Sequence, residues 1–93
     1  MKYTLIMVKV EDYDKWKPVF DEHSATRKAG GEQGGHLFRD INDNNEIVIM
    51  LRWDTMENAK KFFESEDLKK AMQKAGVVDK PNIYFLEEVE TIK

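Results

Sequence analysis

The side chains best suited to chemistry are two histidines and one arginine, all at positions predicted to face inward. His23 and Arg27 lie four residues apart in a helical pattern, so they share one helix face. His36 lies in a strand pattern, on a face that we expect helices to cover. Imidazole exchanges a proton near neutral pH, and a guanidinium can hold a carboxylate or enolate with two hydrogen bonds. His23, His36 and Arg27 are therefore candidate catalytic residues. The alternative is that the histidines are hydrogen-bonded core residues and that Arg27 extends to solvent.

Aromatic side chains on the inward positions are candidates for binding a ring-shaped ligand. They are Trp16, Phe20, Phe38, Trp53 and Phe63. Small-molecule sites are mostly apolar, with a few polar groups that orient the ligand. Such rings are also common in a plain core, and the sequence leaves both interpretations open.

Other segments resemble known ligand-binding motifs but lack features that those motifs require. The glycine-rich segment 30–35 precedes a strand pattern, whereas a phosphate-binding loop opens into a helix. The segment 40–46 resembles the start of a calcium loop but lacks its glycine, and Leu51 replaces the bidentate glutamate. Two histidines 13 residues apart do not form a recognised metal-ligand spacing. We predict no metal and no cofactor.

Composition limits the classes of protein to consider. The 93 residues predict one domain over 1–93, and the absence of cysteine favours a reducing cytoplasm. A net charge of −3 with scattered basic residues argues against nucleic acid as a partner. No apolar run approaches the roughly 20 residues of a membrane helix.

Four apolar runs and two helical patterns predict the order β-α-β-β-α-β. The strands are predicted at Tyr3–Val10, His36–Ile41, Glu46–Trp53 and Ile83–Val89. The first helix is predicted from Asp14 to Ala29, and the second begins at Asp54 with a break at Ser65. This order is the ferredoxin-like α+β arrangement, with a four-stranded antiparallel sheet and both helices on one side.

The hairpin between the second and third strands sets which residues face the helices. A two-residue turn at Asp43 and Asn44 pairs Phe38 with Ile49 and places Phe38 and His36 on the helix side. The opposite face is still apolar, although an isolated two-layer domain should be polar there. We therefore predict a homodimer through this open face, with Leu5, Met7, Leu37, Val48 and Met50 at its centre.

Three segments carry a resemblance to a known family. They are Leu51–Asp54 at the end of the third strand, Phe62–Ser65 in the second helix and Ile83–Leu86 in the last strand. With the element order, they resemble the dimeric α/β-barrel superfamily, most of all its antibiotic-biosynthesis-monooxygenase-like branch. The resemblance implies a barrel of two sheets and a pocket between sheet and helices in each subunit.

The resemblance also indicates activities to consider. Characterised members oxidise polycyclic aromatic substrates with oxygen and no cofactor, or degrade haem, and their pocket tryptophan matches Trp53. The haem-degrading pattern has an asparagine in the first strand and a histidine in the second helix, and this chain has neither. Two hypotheses remain. One is a cofactor-independent monooxygenase or cyclase acting on an aromatic or quinone-like compound, and the other is a non-catalytic dimeric binding or stress-response module.

Overall fold

A computed structural model describes all of residues 1–93 and confirms the ferredoxin-like α+β fold. Four strands form one antiparallel sheet in the order β2-β3-β1-β4, and the helices cover one of its faces. The elements are β1 Lys2–Lys9, α1 Tyr13–Glu22, α2 Ser24–Ala29, β2 Glu32–Arg39, β3 Glu46–Trp53, α3 Met56–Glu64, α4 Glu66–Ala75 and β4 Asn82–Glu87. None of the helices is long and apolar enough to cross a membrane.

The first helical segment begins earlier than predicted and is divided at His23. Asp12, not Asp14, is the N-cap, and its carboxylate accepts the Asp14 N–H at 3.0 Å. Backbone bonds continue across the division, because the His23 N–H donates to Val19 and the Arg27 N–H donates to the His23 carbonyl. The two short helices α1 and α2 therefore still present one continuous inward stripe.

The second helical segment divides at Ser65, as predicted. The Ser65 hydroxyl caps α4 by accepting the Leu68 N–H, and Thr55, one residue after the predicted Asp54, caps α3. Gly76 ends α4 in the left-handed conformation, with φ of 78°, which glycine adopts without steric cost. The chain then turns back toward the sheet to form the edge strand β4.

The predicted hairpin register is wrong by one residue. The connection spans residues 40–45, because the carboxylates of Asp40 and Asp43 accept the N–H groups of Asn42 and Asn45 in two successive Asx turns. Phe38 consequently pairs with Val48 instead of Ile49.

This register reverses the faces of β2. Leu37 packs toward the helices, whereas His36 and Phe38 lie on the open face. A bulge between Glu32 and Gly35 starts the strand. Only glycine fits at position 35, because a β-carbon there would lie 2.0 Å from the Met50 carbonyl oxygen. Strand β2 is therefore longer at its start than predicted, and Ile41 lies outside it, 96% exposed.

The core fills the space between the sheet and the helices. Its sheet side is formed by alternate residues of β1 and β3, namely Ile6, Val8, Ile47, Ile49, Leu51 and Trp53. The buried indole N–H of Trp53 donates to the Thr4 hydroxyl at 2.9 Å, so this face also satisfies its polar groups.

Candidate functional site

A small apolar cavity of about 80 Å³ lies between the sheet and the helices. Trp16, Phe20 and Phe63 are among its walls, and most of its lining is hydrophobic. His23 and Arg27, one turn apart on the inward stripe, bring the ionisable groups to this lining. An apolar space with two adjacent nitrogen-rich side chains is suited to holding an aromatic molecule and acting on one polar group of it.

The surroundings of His23 favour its neutral form. Burial lowers the pKa of the imidazole, the positive charge of Arg27 lowers it further, and Asp67 opposes both effects. The ring also packs beside Phe62, with 5.7 Å between centroids. A neutral imidazole has a nitrogen lone pair at pH 7, so His23 is able to accept a proton from a bound acid.

Arg27 does not extend to solvent, so the alternative considered for it is wrong. Its residue is only 7% exposed, and its Nε donates to Glu32 Oε1 at 3.2 Å. Its Nη1 donates to the Phe20 carbonyl at 2.8 Å, and its guanidinium carbon lies 3.9 Å from the centre of the Phe20 ring. The guanidinium therefore lies inside the fold, with a carboxylate and a π face as partners.

Glu32 is the site residue that the sequence analysis missed. Its other carboxylate oxygen accepts the Gly34 N–H at 2.9 Å, and its side chain is only 6% exposed. The sequence contains the signal, because an acidic residue follows Arg27 across the short helix end formed by Gly30 and Gly31. It was overlooked because the second strand was predicted to begin only at His36.

A second cavity, of about 190 Å³, adjoins the first beside the β2 bulge. Glu32, Gly35 and Leu37 form part of its lining. Phe20 and Arg27 line both cavities. The buried ion pair thus lies at the boundary between two spaces.

The structure brings together five of the eight predicted site residues. His23, Arg27, Trp16, Phe20 and Phe63 all line the first cavity. Trp53 does not line it but packs behind it, with its ring centre 5.3 Å from that of Phe62 and 6.0 Å from that of Phe63.

His36 and Phe38 are separated from this group by the corrected register. His36 borders the second cavity from the strand, but it pairs with Met50 on the open face, where its ring lies 6.0 Å from that of Phe38. The prediction that their side chains face the helices is wrong. No group of three histidine, cysteine, aspartate or glutamate side chains is arranged to hold a metal ion.

Comparisons with known proteins agree on one family. Residues 2–74 match the family model described as antibiotic biosynthesis monooxygenase. A proposed antibiotic biosynthesis monooxygenase from Bordetella bronchiseptica superposes with a TM-score of 0.81 at 15% identity, covering 96% of this chain and 97% of that one. A second, from Caulobacter crescentus, gives 0.76 at 20% identity, with 96% and 90% covered.

A third similar structure is SnoaB from Streptomyces nogalater, described as a cofactor-independent oxygenase. It gives a TM-score of 0.73 at 12% identity and covers 95% of this chain and 94% of that one. Identities this low establish the fold alone. Among functionally curated proteins, no sequence matches this chain.

Proposed function

Because the chain belongs to the antibiotic biosynthesis monooxygenase family, we propose that it is a cofactor-independent oxygenase that oxidises a phenolic aromatic compound with molecular oxygen. The carrying observation is that His23, held neutral, and buried Arg27 line the same apolar cavity. Family membership supports a small-molecule-binding, monooxygenase-like fold. The proposed aromatic substrate class follows the family resemblance, and the apolar cavity lined by His23 and Arg27 supports the proposed residue roles.

The chemistry begins with removal of a proton. His23 accepts the phenolic proton, and the adjacent guanidinium of Arg27 stabilises the phenolate. The electron-rich ring reduces oxygen, and a carbon–oxygen bond forms at a ring carbon to give a hydroperoxide. Its O–O bond then breaks as the ring proton leaves, so one phenol and one O₂ yield one quinone and one water. The apolar walls limit the amount of water near the reacting carbon.

The size of the cavity sets a condition on this proposal. An engineered apolar cavity of roughly 150 Å³ takes up benzene, and the first cavity here is about 80 Å³. A substrate ring therefore enters the first cavity, where His23 lies, only when part of the lining moves.

We also propose that the protein acts as a homodimer through the open sheet face. Leu5, Met7, Val48 and Met50 lie on that face, whereas Leu37, which was predicted with them, packs against the core. Arg52 projects from the same face, and its buried Nε has no hydrogen-bond partner within the chain. A second copy would cover the apolar residues and could supply the missing acceptor. The cytoplasmic location stays a proposal that rests on the absence of cysteine.

The test of the oxygenase is oxygen uptake with a panel of phenols, naphthols and anthrones, with quinone formation followed by absorbance. His23→Gln is expected to lower the rate by about 100-fold or more, in the usual range for loss of a general base. The control is Glu57→Gln, a conservative change at an exposed residue of α3 that lines neither cavity, which should retain the wild-type rate. Equal rates in both variants would remove His23 from the mechanism.

The second candidate function is a non-catalytic dimeric binding module. The small volume of the first cavity favours it, because a filled core needs no opening. In that case no member of the panel would be consumed faster than in buffer. A native mass spectrum of the dimer, with or without a retained small molecule, then distinguishes a binding protein from a filled core.

A further inference from the structure

The two cavities share a continuous floor and one wall. Ile49 and Leu51 of β3 line both cavities from the sheet, and Phe20 and Arg27 line both from the helices. The floor belongs to β3, a central strand of the sheet. What divides the space is therefore the stacked pair of Phe20 and Arg27, called here the partition.

The partition is held by the Arg27 guanidinium and by the stacking of Phe20 on Trp16, whose ring centres lie 4.9 Å apart. Arg27 donates to Glu32 on β2 and to the Phe20 carbonyl on α1, and it stacks on the Phe20 ring. Glu32 keeps a separate hydrogen bond from the Gly34 N–H, so its carboxylate retains a partner if Arg27 moves away. A ligand with a negative group can thus compete for Arg27 without leaving Glu32 wholly unpaired.

We propose that the partition is a movable wall and that Glu32 is the latch that holds it closed. This inference rests on the proposed function, because it supplies the movement that a ring-shaped substrate requires. An anionic group draws the guanidinium away from Glu32, and the Phe20 ring moves with it. The two spaces, of about 80 and 190 Å³, then join, so that a ring of the size that roughly 150 Å³ admits extends from the second space to His23 in the first. Glu32 in this way makes binding depend on the charge of the ligand as well as on its shape.

The first experiment uses the wild-type protein and binding alone. Calorimetry under nitrogen compares 2-naphthoate with neutral 2-naphthalenemethanol, which has the same ring system. The charged ligand is expected to bind about 10-fold more tightly, because only it competes for the guanidinium and shifts the partition to its open form. Equal affinities would overturn the latch.

The second experiment weakens the latch. Glu32→Gln is expected to raise the affinity for neutral 2-naphthalenemethanol by about 10-fold, since less free energy is then needed to open the partition. Its control is Glu57→Gln, the same change at an exposed glutamate of α3, which should leave the affinity unchanged. An unchanged affinity in Glu32→Gln would show that the wall is fixed. If that variant does not fold, Phe20→Leu, which removes the stacked ring, is expected to shift the affinity in the same direction.

A spectroscopic measurement requires no variant. The ¹⁵N resonance of the Arg27 Nε–H should move on titration with 2-naphthoate, because its bond to Glu32 is exchanged for one to the ligand. If naphthols are oxidised while this resonance stays in place, the partition is fixed and the oxygenase proposal stands. If the resonance moves and no ligand is oxidised, the partition stands and the oxygenase proposal fails.

Discussion

The two faces of the sheet are both apolar, yet they differ in how their polar groups are satisfied. On the helix face, the Trp53 indole has Thr4 and the Arg27 guanidinium has Glu32. On the open face, Met7 and Phe38 remain 42% and 50% exposed, and the buried Nε of Arg52 lacks a partner. Because hydrophobicity is shared by the two faces, it does not distinguish the face that the helices cover from the face that we propose a second copy covers. The satisfaction of polar groups does.

Lysine substitutions at neighbouring positions of β3 should separate the faces most sharply. Ile49→Lys places an unpaired charge in the core, where Ile49 is 6% exposed. We expect a loss of at least about 4 kcal/mol in the free energy of unfolding, since packing and desolvation terms add. Urea unfolding followed by far-UV circular dichroism measures it. A variant that unfolds like the wild type would refute the assignment of this face to the core.

The next substitution, Met50→Lys, should leave the subunit folded and disrupt the proposed dimer. Met50 faces away from the helices, so the charge stays hydrated in a monomer but would be buried between two copies. We expect the dimer dissociation constant to rise by about 100-fold, equivalent to about 2.7 kcal/mol. Sedimentation velocity gives the constant. The control is Ile41→Lys in the exposed hairpin loop, and an undisturbed Met50→Lys dimer would rule out this interface.

The sequence was sufficient for the fold because periodicity and capping residues are local signals. It predicted the element order, the apolar open face and the break at Ser65, and it placed His23 and Arg27 together. The β2 register was not predictable in the same way. It depends on whether Asp40 and Asp43 form Asx turns with Asn42 and Asn45 or a tight two-residue turn, and the same residue types suit both.

That single register error had consequences for the site. It placed His36 and Phe38 with the pocket residues and moved Leu37 to the interface. Glu32 was missed for a different reason, because its pairing with Arg27 depends on the bulge that starts β2, and pattern alone does not locate a bulge. The inward stripe of α1 and α2 was predictable from spacing. The pairing of Arg27 in this stripe with Glu32 on the neighbouring strand was not predictable in that way.

A smaller effect tests whether polar satisfaction on the helix face contributes to stability. Thr4→Val keeps the shape of the side chain but leaves the buried Trp53 N–H without an acceptor. We expect a loss of about 1–3 kcal/mol in the free energy of unfolding. The double variant Thr4→Val with Trp53→Phe removes both partners. The double variant should lose less free energy of unfolding than the sum of the two single losses. Additive losses would mean that this hydrogen bond does not contribute to stability.

The smallest expected effect is the pH dependence contributed by His23. Burial and Arg27 hold the pKa of this imidazole below its ordinary value of 6.5 in the folded protein, so the unfolded chain binds the proton first as the pH falls. Its contribution to stability is therefore fully present above about pH 6.5, declines below it and is lost once the folded-state pKa is passed.

Urea unfolding at about pH 7.5 and about pH 5 measures this difference. Wild type should lose more stability than His23→Gln between the two pH values, because the variant has no imidazole to protonate at the cavity. If His23→Gln keeps the full pH dependence, the imidazole has no special environment. The proposed chemistry requires a neutral base at the cavity on the helix face. Another residue would then have to supply it.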